Sequence, residues 1–305
     1  MKDSPLILEI KGNSLDDGPG IRTVVFFKGC PLDCSWCHNP ESKTCQVELS
    51  YDAKQCIGCG ACVDSCPQGA ISKNHRFFVD RRVCQLCFTC ADNCPSGAMS
   101  KAGRQIDMND LLTQVMRDKP FYLTSGGGVT LSGGEPTLHM DFLSELLRHL
   151  HQNDVHTLLE TCGHFNFNQF EQKLSPYIDT IYMDLKLFDP GEHEAHCGVG
   201  NQLILENFER LLELSRSGMF ELLPRTPLVP GITDKKENLG AIAGFLKAHG
   251  VQQAKLLSYN PTWHAKVSMM GKDNPLADQA EMNAWMSTED IQNCKDIFHH
   301  NGIEV

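Results

Sequence analysis

Eleven of this chain's fifteen cysteines fall into two spaced patterns, and these constrain its fold more tightly than any other feature of the 305 residues. Cys30, Cys34 and Cys37 form a CxxxCxxC run between Gly29 and Asn39, three thiolates from one short loop. Cys56, Cys59, Cys62 and Cys66, followed by Pro67, recur 28 residues later as Cys84, Cys87, Cys90 and Cys94, followed by Pro95. Thiolates spaced in this way suit iron–sulfur clusters. A four-iron cluster held by three cysteines keeps one iron open, and an open iron can bind and activate a substrate where a fully ligated one only carries electrons. The triplet therefore points to an enzyme.

The doubled CxxCxxCxxxCP is the spacing of two-cluster bacterial ferredoxins. That resemblance implies a crossover, in which the last cysteine of each run serves the other cluster. One [4Fe-4S] cluster would take Cys56, Cys59, Cys62 and Cys94, and the other Cys66, Cys84, Cys87 and Cys90. Gly58, Gly60, Gly69 and Gly97 suit tight turns around inorganic sulfide. Structural zinc is the alternative for paired CxxC motifs. The even repeat, each time ending in Cys-Pro, argues against it.

Composition narrows the setting. The length allows one large domain or two smaller ones. The apolar run Leu6–Leu8 is too short for a signal-peptide core, and no stretch approaches transmembrane length, so a cytoplasmic protein with no membrane partner is expected. There thiols stay reduced and available to iron. A net charge of −11 argues against nucleic acid, which calls for a basic surface. Cys45, Cys162, Cys197 and Cys294 lie outside both patterns. Cys294 sits in an amphipathic helix pattern as a small buried hydrophobe, Cys45 and Cys197 are read as structural, and Cys162 is read mainly as core although it follows a predicted strand close to the chemistry.

Outside the cysteine-rich insert, short apolar runs alternate with helical periodicity, the pattern of strand–helix units in a parallel sheet. Strands are predicted at 23–27, 129–132, 155–161, 180–187, 220–224 and 254–259, with helices marked by stripes such as Phe142, Leu146, Leu147 and Leu150. Asp107 or Asn109 is expected to cap the first helix, and Gly218 and Gly250 to stop two others. The insert, residues 53–100, interrupts the first strand–helix connection, so the barrel-forming parts are 1–52 and 101–305. In parallel α/β folds the loops after the strands' C-terminal ends carry the chemistry. The polar clusters fall there: the triplet, then Ser132-Gly133-Gly134-Glu135-Pro136, then Glu160-Thr161-Cys162-Gly163, then Asp184-Leu185-Lys186, Arg225 and Asn260.

Together with Asp17-Gly18-Pro19-Gly20-Ile21-Arg22, these motifs resemble the activating enzymes of glycyl-radical enzymes, in the radical S-adenosylmethionine family. Trp36, before the third cysteine, fits as well, and the ferredoxin-type insert resembles the branch serving decarboxylases, dehydratases, choline lyase and succinate-adding enzymes. The resemblance implies a partial (β/α)6 TIM-like barrel with an inserted two-cluster ferredoxin-like domain. It implies three [4Fe-4S] clusters, with the open iron of the Cys30, Cys34 and Cys37 cluster chelating S-adenosylmethionine. By the same resemblance the cofactor would be met by Trp36, Cys37, His38, Asn39, Gly133, Gly134, Glu135, Asp184, Leu185, Lys186, Arg225 and Asn260. Glu160, Thr161 and Asp184 would form a monovalent-cation site of hard oxygen ligands. Asn260 stands where relatives often carry histidine.

The implied reaction is reductive cleavage of S-adenosylmethionine to methionine and a 5′-deoxyadenosyl radical, which takes a hydrogen atom from a backbone glycine of a large partner enzyme. A low-potential donor such as flavodoxin or ferredoxin would supply the electron, under anaerobic conditions. Asp17–Arg22 is read as a gate or docking element near the mouth, and His193 and His196 as surface histidines. Two alternatives remain. One is a radical enzyme acting directly on a small molecule or another peptide, and the other an iron–sulfur electron-transfer protein.

Overall fold

The computed structural model describes residues 4–305. Ten strands form two sheets. The larger has eight strands in the order β10-β9-β8-β7-β6-β2-β1-β5. Six of them, β2 (Arg22–Phe27), β6 (Gly128–Gly133), β7 (His156–Thr161), β8 (Thr180–Asp184), β9 (Glu221–Pro227) and β10 (Lys255–Leu257), run parallel in chain order. Each is one of the six predicted strands, with ends shifted by a few residues. The sheet does not close, because β10 is one edge and the other is extended by antiparallel β1 (Leu6–Ser14) and β5 (Arg104–Gln105).

β1 and β5 were not expected. In β1 the apolar residues Leu6, Ile7, Leu8 and Ile10 give way to Lys11, Gly12 and Asn13, and only its start and end are buried. An edge strand of this kind carries little periodic signal.

The parallel strands are buried on both faces and read as apolar runs for that reason. Val25, Phe27, Val129, Leu131, Leu159, Ile181 and Met183 pack against helices α5 (Met140–Gln152), α8 (Gln202–Arg216) and α9 (Lys236–Ala248). Those helices contribute Leu143, Leu146, Leu147, Leu150, Phe208, Leu211, Leu239, Ile242 and Leu246, each worth about 1.5–3 kcal/mol when fully buried. Asp107 caps α3 (Met108–Met116) by accepting a hydrogen bond from Asn109 N at 2.8 Å. Gly218 and Gly250, at φ of +83° and +67°, follow the ends of α8 and α9 as expected.

The insert is closed at its neck by the second sheet, β3 (Glu48–Tyr51) paired antiparallel with β4 (Met99–Ala102). Its backbone repeats with the cysteines. The one-turn helices α1 (Ala61–Asp64) and α2 (Thr89–Asp92) are 28 residues apart, and left-handed residues pair at the same offset: Gly58 with Leu86, Gly60 with Phe88, Gly69 with Gly97. Leu86 and Phe88 adopt a conformation that disfavours side chains, so the turn geometry outweighs local preference in the second repeat. Leu49, Ile71, Val79 and Met99 build a separate small core with Cys62 and Cys90.

Candidate active site

Phe27 pairs with Gly133 at the ends of β2 and β6, which places the cysteine loop and the Gly-Gly-Glu turn side by side at the C-terminal edge of the sheet. The loop folds back on itself: Gly29 N donates to Ser42 O at 2.7 Å, Cys37 N to Cys34 O at 3.1 Å, and Lys43 Nζ to Cys34 O at 2.8 Å. It also rests on the end of α7 (Pro190–Cys197). Asp33 N donates to Cys197 O at 2.8 Å and Ser35 N to His196 O at 2.9 Å, so two terminal carbonyls that lack partners within their helix find them here. Cys30 and Cys37 border a cleft of about 660 Å³ between α7 and α10 (Trp263–Met269). A larger cleft of about 860 Å³, lined by 137–142 and 164–166 among others, contains none of the cysteines.

The Gly-Gly-Glu turn is stitched directly to this loop. Gly134 N donates to Phe27 O at 2.8 Å and Glu135 N to Gly29 O at 2.7 Å. A Cβ on Gly134 would lie 2.1 Å from Gly29 O, and one on Gly133 would lie 2.4 Å from Phe27 N and O. What these glycines admit is therefore the backbone that precedes Cys30. Gly134→Ala is expected to displace the loop and lower the iron content by about four atoms per chain while the insert keeps its own, as iron analysis of reconstituted protein would read. Full iron in that variant would show that the turn does not set the loop.

Glu135 is wholly buried, and both carboxylate oxygens are engaged. They accept from Thr137 Oγ1 at 2.7 Å, Thr137 N at 3.2 Å, Thr161 Oγ1 at 2.9 Å and Cys162 N at 2.7 Å. Its observed work is to tie β7's end to the cysteine loop, a brace made of charge-assisted hydrogen bonds.

Next to this brace lies a charge network. Arg225 donates through Nη1 to Glu160 at 2.5 Å and through Nε to Asp184 at 2.9 Å, and Lys186 Nζ donates to Asp184 at 2.9 Å. Ser132 Oγ donates to the other Glu160 oxygen at 2.6 Å. Burial pushes the Asp184 carboxyl up, but Arg225 and Lys186 outweigh it and hold it below its usual range. Burial likewise opposes the charges of Lys186 and Arg225, yet the carboxylates raise both above their ordinary values. Lys186 also feels Cys34 and Cys162, which ties the network to the triplet.

Several expectations change. The guanidinium of Arg225 occupies the place between Glu160 and Asp184 that a monovalent cation would need, and the Thr161 hydroxyl is spent on Glu135. Among the described residues no group of three or more His, Cys, Asp or Glu converges to hold a single ion. Leu185 packs in the main core, opposite Asp184 and Lys186, so its side chain does not face the site. Trp36 is buried with Leu187, Cys197 and Trp263. His193 is buried and bonded to Val199 O at 2.6 Å, and His196 stacks at 5.9 Å from the Trp36 ring; neither is a free surface histidine. Asp17–Arg22 lies at the opposite edge of the sheet, because it precedes β2. There Arg22, fully buried, donates to Thr130 Oγ1 at 2.6 Å and Val129 O at 2.8 Å.

His38 is exposed at the rim, with its Nε2 3.4 Å from Thr262 Oγ1. Asn260 accepts from Thr262 N at 3.0 Å and Oγ1 at 2.8 Å, and Asn39 accepts from Lys266 at 2.9 Å, so the loop after β10 and α10 closes over the cysteine loop's far end. Two cysteines outside the motifs join the site: Cys162 hydrogen-bonds Cys30, and Cys197 hydrogen-bonds Cys34. Nothing in their spacing announced this, since Cys162 and Cys197 come from distant loops. In the insert, Cys56, Cys59, Cys62 and Cys94 line one cavity of about 260 Å³. Cys90 senses Cys84 and Cys66.

Residues 24–240 match the Radical SAM superfamily. The isethionate sulfite-lyase activating enzyme of Nitratidesulfovibrio vulgaris is 38% identical over 91% of each chain. The trans-4-hydroxy-L-proline dehydratase activating enzyme of Clostridioides difficile is 39% identical over 84% of this chain and 85% of that one. The 4-hydroxyphenylacetate decarboxylase activating enzyme of the same species is 33% identical over 98% and 94%. Among solved structures, a radical SAM methyltransferase from Sphaerobacter thermophilus aligns with 99% of this chain and 76% of its own at a TM-score of 0.53 and 14% identity, a likeness of fold. With a family match across the parallel sheet and relatives aligned almost end to end, the chain belongs to the radical SAM superfamily, among the activating enzymes of glycyl-radical enzymes.

Proposed function

We propose that this protein activates a partner glycyl-radical enzyme, cleaving S-adenosylmethionine reductively so that a 5′-deoxyadenosyl radical takes a hydrogen atom from a backbone glycine of the partner. The observation that carries this reading is a triplet of three thiolates, Cys30, Cys34 and Cys37, at the C-terminal edge of six parallel strands. A cubane binds each ligand to a different iron, so it does not ask the sulfurs to converge on one point, and three donors with no fourth from the motif suit one open iron. When bound, that cluster supplies the electron and the site of chelation.

The chain's own residues do the placing. Gly29, Gly134 and Glu135 fix the cysteine loop against β6 and β7, while the end of α7 supports it from the other side. Lys186 and Arg225, with Asp184 and Glu160, supply a buried polar floor for the ribose and carboxylate of the nucleoside. Trp36, Leu187 and Trp263 form an apolar wall that excludes water and competing hydrogen donors. Gly133, His38, Asn39 and Asn260 are proposed to meet the ligand at the rim.

Residues 53–100 are proposed to be a ferredoxin-like unit with two auxiliary [4Fe-4S] clusters, set into a barrel formed by 1–52 and 101–305. Its support is the 28-residue backbone repeat and the cavity that joins Cys94 to Cys56, Cys59 and Cys62 across the repeats. The electron would come from a low-potential flavodoxin or ferredoxin. Among the described residues no helix is long and apolar enough to cross a membrane.

The relatives' names differ in the enzyme served, from a lyase to a dehydratase to a decarboxylase, and agree on activation. The test is incubation of the reduced, oxygen-free protein and S-adenosylmethionine with candidate partners encoded nearby, followed by electron paramagnetic resonance. A glycyl-radical doublet is expected with one of them. Deoxyadenosine formation without that doublet for any candidate would overturn the assignment in favour of direct action on a small molecule.

A further inference from the structure

Arg81 is the one side chain among the described residues with two buried nitrogens and no hydrogen-bond partner, Nε and Nη2. Unpaired N–H groups of a buried guanidinium are costly, and such a group calls for an acceptor. The protein does not offer one. Glu48, the carboxylate that Arg81 senses, already accepts from Lys28 at 2.7 Å, Thr44 at 2.9 Å and Lys272 at 3.0 Å. The other groups that act on Arg81 are Cys84 and Cys90.

Its place in the fold is equally specific. Arg81 lies in the turn that delivers Cys84, where Cys84 N donates to Asp80 O at 3.0 Å. On its other side it rests on Gly271, just after α10, where a Cβ would lie 2.7 Å from Nε. The segment 272–275 that follows borders the cleft beside Cys30 and Cys37. Arg81 thus stands between the second set of insert cysteines and the barrel.

We propose that Arg81 is the positive partner of the auxiliary cluster held by Cys66, Cys84, Cys87 and Cys90, donating its Nε and Nη2 hydrogens to that cluster's sulfur and raising its reduction potential. The inference rests on the reading of the insert as a two-cluster unit. A ligated cubane carries net negative charge that grows on reduction, so a buried cation beside it favours the reduced form, and hydrogen bonds to sulfur act in the same direction. The cluster on the barrel side then becomes the better electron acceptor of the two, because no such cation is orphaned beside the cavity of Cys56, Cys59, Cys62 and Cys94.

The test uses the full chain with Cys30, Cys34 and Cys37 changed to alanine, so that only auxiliary couples titrate. Reconstituted protein with and without Arg81→Gln is titrated potentiometrically and followed by electron paramagnetic resonance. One of two couples is expected to fall by at least about 59 mV, a tenfold change in the reduced-to-oxidised ratio of a one-electron couple, with the other unmoved. About eight irons with both couples unchanged overturns the role of Arg81. No iron in the parent protein overturns the two-cluster reading instead. If Arg81→Gln sheds one cluster, Arg81→Lys decides: recovery of about eight irons with a potential near the parent's supports a charge role, and equal loss assigns Arg81 to folding and overturns the proposal.

Discussion

Changing Cys34 to alanine is expected to abolish deoxyadenosine formation from S-adenosylmethionine while lowering the iron content of the reconstituted chain from about twelve atoms to about eight. Cys34 is 7% exposed and lies in the middle of the loop that α7 supports, so it cannot be replaced by water or an outside ligand without moving that loop. The insert has its own core and its own closed neck, which is why its eight irons should survive. Cys197 is a possible substitute, because its side chain bonds to that of Cys34 and is fully buried. The double variant Cys34→Ala with Cys197→Ala removes that route. Wild-type rates in the double variant, measured by chromatography of the nucleoside products, would sink the assignment of the triplet. A wild-type protein that holds iron and makes no deoxyadenosine would instead favour plain electron transfer.

The large features were legible because they are periodic or local. Cysteine spacing marked both the triplet and the insert, and apolar runs marked the six parallel strands because each is covered on both faces. The alternation of Asp184 and Lys186 around Leu185 was readable for the same reason, since a period of two needs no partner to be known. What escaped depends on contacts between distant segments. Glu135 looks in sequence like a carboxylate free to meet a ligand, and only the arrival of Thr161 and Cys162 from the next strand turns it into a brace. Arg225 and Glu160 are separated by 65 positions and Arg225 and Asp184 by 41, so their pairing, and with it the loss of the cation position, could not be read from spacing. Arg22 shows a related limit. A Gly-Pro-Gly loop beside a charged residue suggests an exposed docking element, but direction along the strand decides, and the loop enters β2 at the far edge.

The same network makes the second large prediction. Arg225→Met keeps most of the side-chain length and removes the charge that two partly buried carboxylates share. Breaking a buried ion pair by deleting one partner costs about 3–5 kcal/mol, because the remaining charge is left without compensation. Asp184 keeps Lys186, while Glu160 keeps only the Ser132 hydroxyl, so the loss should fall at the upper part of that range. pH separates this cause from simple loss of packing. In the wild type the carboxyl of Asp184 is held below its unfolded value, so its contribution is present above about pH 4 and is lost as pH falls through the lower folded value. Without Arg225, burial dominates and the folded carboxylates titrate higher than the unfolded ones. Protonation then relieves the variant, and the stability gap between the two proteins should narrow as pH is lowered from about 7 to about 5. Denaturant melts of the oxygen-free proteins at both pH values measure this directly. A gap of the same size at both would assign the loss to packing and remove the charge network from the account of the site.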